Sequence, residues 1–201
     1  AVYVWSVYTE CMHGMPSERP VRVAVPVNLR PYFNSITTKN FFVMVSAEFH
    51  PTKEIYTFEE VLKSVSESLR SQISRENLEK LFSYNVSNEK LLAARIVPLF
   101  LKNLAMRYVY TTSALANTAT VTNIGNISVS EEYRPYVEMF HAFLAMSKGQ
   151  HLKGTICSYG DTLVFSFSYD LTDTSVQRGF FRKIAADGIA VEIETNGVNY
   201  E

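Results

Sequence analysis

Two runs of strand-type residues, 152–159 and 162–169, are separated only by Gly160-Asp161. A connection that short closes a β-hairpin, so the chain must contain at least one antiparallel pair. A second strand signal lies near the start. Val21, Val23, Val25, Val27 and Leu29 alternate with Arg22, Ala24, Pro26 and Asn28, the pattern of a strand with one buried side. Pro26 has no N–H for a ladder and marks an edge, a bulge or a strand end. Asn34-Ser35 reads as loop, and residues 41–49 read as another strand that stops at His50-Pro51.

Helical signals interrupt these strands. Thr57 is a suitable N-cap, with Glu59 and Glu60 in the first turn, where the helix dipole favours negative charge. Val61, Leu62, Val65 and Leu69 follow as an apolar stripe. Ser74 caps a second helix with Leu78, Leu81 and Phe82 on its apolar face, although Asn77 stands where a full capping box has Glu or Gln. Ser87 with Lys90 is a weak start for a further turn. Pro98 suits the first turn of a long segment, residues 99–116. A final helix starts at Thr172 or Asp173, carries Val176, Phe180, Phe181 and Ile184, and ends at Gly188.

From residue 118 the period changes to two. Residues 118–122 read as strand, Asn123-Ile124-Gly125-Asn126 as a turn or bulge, and Ile127-Ser128-Val129 as resumed strand. Ile189, Val191 and Ile193 suggest a last short strand. Residues 1–12 suit a strand by propensity and a helical face by spacing, and 137–146 is ambiguous by pattern. Hairpins combined with intervening helices predict an α/β (α+β sandwich) fold, a mixed β-sheet flanked by helices.

Composition narrows the function. With 19 Lys+Arg against 20 Asp+Glu, the formal charge is −1, which gives no footprint for nucleic acid and no polybasic membrane anchor. No stretch approaches the roughly 20 apolar residues of a membrane span. Cys11 and Cys157 make no disulfide framework and are expected to be reduced in a cytoplasmic protein.

The four histidines form no metal motif, so no metal site is expected. No glycine-rich phosphate loop and no G-x-S-x-G elbow occurs. His50 and Glu54 read as a surface loop, and His141, amid Phe140 and Phe143, reads as a half-buried histidine with its hydrogen bonds satisfied.

Two polar stretches stand out. Val25-Pro26-Val27-Asn28-Leu29-Arg30-Pro31 and Asn40-Phe41-Phe42 place Arg30 and Asn40 where core strands end or begin. Arg30 is expected to pin a loop through a salt bridge. In Thr122-Asn123-Ile124-Gly125, a strand distortion either aims side chains into a cleft or forms an Asx-type turn on its own backbone.

These stretches carry a family resemblance. The first, with Thr37-Thr38-Lys39-Asn40-Phe41-Phe42, resembles the PVNLR…T-x-[RK]-N-F signature. That signature belongs to bacterial alcohol acetyltransferase-like members of the CoA-dependent acyltransferase superfamily. Chloramphenicol acetyltransferase and the condensation domains of peptide synthetases belong to the same superfamily. Thr122-Asn123-Ile124-Gly125 resembles its [ST]-N-[LIV]-G segment. Ser158-Tyr159, Leu163-Val164-Phe165-Ser166-Phe167, Phe180-Phe181 and Gly188-Ile189 are similar to its closing pattern, and the likeness covers essentially all 201 residues.

The resemblance implies a two-lobe architecture with a substrate tunnel between the lobes, and it makes 1–12 the end of a helix and 137–146 a strand. It also implies a His-His-x-x-x-Asp-Gly motif whose second histidine removes the acceptor's proton as the acceptor attacks a thioester. That motif is absent here: Ser17, Glu54, Ala145 and Thr155 stand four residues after the histidines. The expectation is therefore one lobe, residues 1–201, the C-terminal half of such an enzyme, with the base upstream of Ala1 and no activity of its own. Acetyl-CoA or another acyl thioester is the expected co-substrate, with no tightly bound cofactor. The expected partners are the N-terminal half, an alcohol-type acceptor and possible second copies in a homodimer. Asn40, Thr122, Asn123 and Gly125 are the implied tunnel-facing residues, with Arg30 structural. The competing expectation is a non-catalytic binding module that keeps the fold.

Overall fold

The computed structural model describes residues 1–90 and 97–196. A short helix, α1 (Val2–Ser6), continues into a π-helical turn (Val7–Cys11), which settles the ambiguity of the first segment in favour of helix. There follow β1 (Val21–Asn28), α2 (Arg30–Phe33), β2 (Phe42–Phe49), α3 (Phe58–Gln72), α4 (Arg75–Lys90) and α5 (Leu99–Leu115). The chain then forms β3 (Ala119–Asn126), β4 (Leu152–Tyr159), β5 (Thr162–Tyr169) and α6 (Ser175–Ala186).

The five strands make one sheet in the order β2-β1-β3-β4-β5. The outer pairs β1/β2 and β4/β5 are antiparallel, and β3 runs parallel to both β1 and β4. This is the expected α/β class with a mixed sheet. Among the described residues, no helix is long and apolar enough to cross a membrane.

The alternation of 21–29 becomes physical in the core. Val21 and Val23 are buried with Ala47, Phe49 and Ala119 against Tyr3, Val4 and Tyr8 of the first helical segment, Val61 and Val65 of α3, and Val176 and Phe180 of α6. Tyr3, Phe165, Phe167 and Phe180 stack and tilt on one another, with the Phe165 and Phe180 centroids 4.3 Å apart. Each such pair adds about 0.5–1.5 kcal/mol beyond its buried area. Gly154 lies under this cluster. A Cβ there would stand 2.8 Å from Phe165 Cζ and 3.2 Å from Val121 Cγ2, so the aromatic layer requires glycine. A second, smaller core joins Leu29, Val43, Val45 and Leu78 to Phe33, Phe41 and Phe82.

Helix ends follow their sequence signals. Thr57 and Glu60 form a capping box at the start of α3. Asn77 N–H donates to Ser74 Oγ at 3.2 Å. Ser175 N–H donates to Asp173 Oδ1 at 2.9 Å, and that bond holds the Asp173 carboxyl below its ordinary range. Gly188, at φ +84, ends α6 in the left-handed conformation. Ser87 lies inside α4 rather than starting a turn, and the turn expected after it falls outside the described residues.

The outer edge of β2 is closed by side chains of α3. Gln72 accepts from Ser46 N–H at 3.0 Å and donates to the Ser46 carbonyl at 2.7 Å. Ser68 accepts from Glu48 N–H at 3.1 Å and also donates to the Ser46 carbonyl, at 3.0 Å. Ser64 donates to the Glu48 carbonyl at 3.4 Å. Residues spaced by four on α3 therefore do the work of a missing neighbour strand.

Three expected strands do not form. Residues 127–129 leave the sheet after a single bond from Ile127 N–H to the Ser158 carbonyl, at 2.7 Å. Residues 137–146 and 189–193 are irregular. Residues 137–146 are ambiguous by pattern and 189–193 alternate clearly, yet neither segment pairs with a strand of this sheet. The first of them is instead tied down by side chains of β4. Lys153 Nζ donates to the Ala145 carbonyl and to Ser147 Oγ, both at 2.7 Å, and Cys157 Sγ donates to the Phe140 carbonyl at 3.1 Å.

Candidate functional site

β1 and β3 pair at only two positions, Val23 with Ala119 and Ala24 with Thr120. Beyond them, residues 25–28 of β1 stay paired with β2, and residues 121–126 of β3 stay paired with β4. The two strands share no further pair, which leaves a notch at their carboxyl ends. The strand order reverses at the same place. After β1 the chain turns to β2 on one side, and the next parallel strand, β3, lies on the other. Open α/β sheets bind ligands outside the carboxyl ends of their strands at such a reversal.

The sequence-selected residues flank this notch. Arg30 follows the end of β1, and its guanidinium reaches back over the loop before β2. Nε and Nη2 donate to the Thr37 carbonyl at 3.1 Å each, and Nη2 donates to the Lys39 carbonyl at 2.8 Å. Asn28 Oδ1 accepts from Arg30 N–H at 3.1 Å. The expected loop-pinning is present, but backbone carbonyls take the place of the expected salt bridge. Leu29 N–H donates to the Phe41 carbonyl at 3.0 Å. Asn40 therefore sits, exposed, between two anchored peptide carbonyls.

On β3 the register slips between Asn123 and Gly125, leaving Ile124 as the extra residue of a bulge. Asn123 Oδ1 accepts from Gly125 N–H at 2.8 Å, the Asx-type turn of the two alternatives. Gly125 has φ +86, a conformation that glycine adopts without strain. The turn uses the carbonyl of the exposed Asn123 side chain and leaves its Nδ2 group available as a donor. Thr122 pairs with Thr155 and Asn123 with Ile156, so the two neighbours face opposite sides of the sheet. The fold brings Arg30, Asn40, Asn123 and Gly125 to one end of the sheet, and it separates Thr122 from Asn123 by face.

Sequence reasoning missed a cleft of about 450 Å³ at this same end. Its walls include Asn126, Ser128, Arg134 and Tyr159, contributed by the segment after β3 and by the end of β4. No short motif joins these residues; the hairpin turn at Gly160 brings them together.

The remaining reactive groups lie elsewhere. His50 Nε2 is 3.5 Å from Glu48 Oε2, and His141 Nε2 is 3.7 Å from Glu194 Oε2. His151 Nδ1 is 2.9 Å from Asp170 Oδ1, at the far end of the β4/β5 hairpin. Both cysteines are free. Desolvation, followed by the charges of Asp173 and Glu10, pushes the Cys11 thiol up, the reverse of what an activated thiol needs. Among the described residues, no group of three or more His, Cys, Asp or Glu side chains is placed to hold a metal ion. No protein-family model matches the chain, and no curated protein matches it.

Proposed function

We propose that this chain is the C-terminal lobe of a cytoplasmic, CoA-dependent O-acyltransferase-like protein. In this reading the complete protein moves an acyl group, acetyl in the simplest case, from a CoA-type thioester to an alcohol-like acceptor. The lobe forms one wall of the substrate tunnel and contacts the N-terminal half, which supplies the histidine base. Acetyl-CoA or another acyl thioester acts as a co-substrate, not as a resident cofactor.

The observation that carries the reading is the meeting of its separate motifs at one notch. The Arg30-clamped loop bearing Asn40 and the Asn123–Gly125 bulge lie at the same end of the sheet, beside the strand-order reversal. The free amide group of Asn123 suits a donor to the oxyanion that develops on the thioester carbonyl. Segments 137–146 and 189–193 lend support, since the resemblance makes the first a strand and the alternation makes the second one, yet both lie outside this sheet with Phe143, Ile189 and Ile193 exposed. A second lobe would cover such surface.

The test is acyl transfer from acetyl-CoA by the full-length protein, measured against the 201-residue chain alone. The full-length protein is expected to be active and the isolated chain inactive; transfer by the isolated chain overturns the reading. In the active protein, Asn123→Ala is expected to lower kcat about 100-fold, the cost of losing one oxyanion donor. Unchanged kcat/KM in both Asn123→Ala and Thr122→Ala removes these residues from catalysis. An upstream sequence with an altered His-His-x-x-x-Asp-Gly motif turns the conclusion toward a binding module.

A further inference from the structure

The two edges of the sheet are treated differently. β2 has its outward Ser46 and Glu48 backbone groups bonded to Ser64, Ser68 and Gln72 of α3. β5, at the other edge, has no such cover. Among the described residues, its backbone bonds only to β4. Natural sheets protect an open edge with lysine, proline, a bulge or a covering element. The run Thr162-Leu163-Val164-Phe165-Ser166-Phe167-Ser168-Tyr169 has no charge and no proline, and its ladder with β4 is unbroken. Leu163 is 67% exposed.

We infer that the β5 edge is an interface, and that its occupant is β5 of a second copy of this chain, paired antiparallel about a two-fold axis. The pattern of β5 is complementary to itself. A two-fold perpendicular to the sheet sets each residue opposite one from the same face. With Ser166 on the axis, Phe165 meets the partner's Phe167, Val164 meets the partner's Ser168, and Leu163 meets the partner's Tyr169. Aromatic and aliphatic pairs of this kind stabilise neighbouring strands. No like charges oppose one another, since Asp170 falls opposite the partner's Thr162 and Asp161 opposite the partner's Leu171. The sealed β2 edge explains why the assembly closes. A β2-to-β5 contact would propagate into an open filament, and the Ser46 and Glu48 groups in the second half of β2 are already taken by α3. The inference is independent of the acyl-transfer reading.

Sedimentation velocity on the 201-residue chain tests it, over about 10–500 µM because an edge-to-edge contact is small. The expected result is a monomer–dimer equilibrium. Leu163→Lys, which places a charge on the edge, is expected to weaken dimerisation at least tenfold. Leu104→Lys, on the exposed surface of α5, leaves it unchanged. Hydrogen exchange of the wild-type chain is expected to show β5 amides that gain protection as concentration rises, and this reading does not depend on any variant folding. A monomer throughout the range overturns the inference. So does a dimer that Leu104→Lys disrupts and Leu163→Lys does not, or a dimer that leaves β5 exchange unchanged.

Discussion

Arg30 and Lys39 are joined by a 2.8 Å hydrogen bond from the guanidinium Nη2 to the backbone carbonyl. With the two bonds to Thr37, it fixes the loop that carries Asn40. Hydrogen bonds from a charged donor are each worth about 1.5–3 kcal/mol. Arg30→Ala is expected to lower stability by about 2–3 kcal/mol, and Arg30→Lys to recover little of it, because an ammonium lacks the planar fork. Urea midpoints measure both, and a lysine variant of wild-type stability would refute the clamp.

Tyr3 gives the chain an alkaline limit. Burial, and secondarily the charge of Cys11, pushes its phenol far above the usual range. Above pH 10 the unfolded chain releases this proton while the folded one retains it, so stability falls as pH rises, by about 1.4 kcal/mol per unit. Below pH 10 both states keep the proton and the effect vanishes. Tyr3→Phe is expected to abolish this slope in urea titrations between pH 10 and 12.

The same substitution has a neutral-pH consequence. Among the described residues, Tyr3 Oη is buried and has no hydrogen-bond partner. An orphaned buried hydroxyl costs about 1–3 kcal/mol, so Tyr3→Phe is expected to be as stable as the wild type or about 1 kcal/mol more stable at pH 7. A loss above 1 kcal/mol in chemical denaturation argues against an orphaned hydroxyl.

Two glycines separate backbone strain from crowding. At Gly125 a Cβ meets nothing within 4 Å among the described residues, so Gly125→Ala carries only the cost of a positive φ, about 1–2 kcal/mol. At Gly154 the added carbon collides with Phe165 Cζ, and overpacking of about 1–3 kcal/mol comes with a displaced aromatic ring. Near-ultraviolet circular dichroism should change in Gly154→Ala and stay constant in Gly125→Ala.

Gln72 is the centre of the β2 edge seal. Gln72→Ala frees Ser46 N–H and removes one of the donors to the Ser46 carbonyl. The expected loss is about 1–2 kcal/mol, with faster exchange at the Ser46 amide and a new tendency to associate through β2. Unaltered Ser46 exchange would sink the assignment.

Local signals were legible in the sequence, and partnerships between distant segments were not. The two-residue turn at Gly160-Asp161 sets Tyr159 opposite Thr162, and the whole β4/β5 ladder follows from it. The Thr57–Glu60 cap and the Gly188 stop are equally local. Segment 189–193 has strand periodicity and 137–146 is ambiguous, but whether either joins a sheet depends on where the rest of the chain carries it, which no local pattern encodes. Ser64, Ser68 and Gln72 look like an ordinary solvated helix face until β2 lies beside them. At the site, glycine and asparagine marked the bulge correctly. The acceptors for Arg30 were hidden because a backbone carbonyl belongs to every residue type.

The two register pairs that join β1 to β3 have a mechanical consequence. The sheet consists of two stiff plates, β1 with β2 and β3 with β4 and β5, fastened near one end like a pair of tongs. The fastening includes Thr118 N–H to the Arg22 carbonyl at 2.8 Å and Arg22 N–H to Thr118 Oγ1 at 3.1 Å. Spreading the free ends breaks no hydrogen bond of the ladder. The jaw width at Asn28 and Asn123 is therefore held by side-chain packing, with Val25 and Val121 on one shared core, and not by backbone hydrogen bonds.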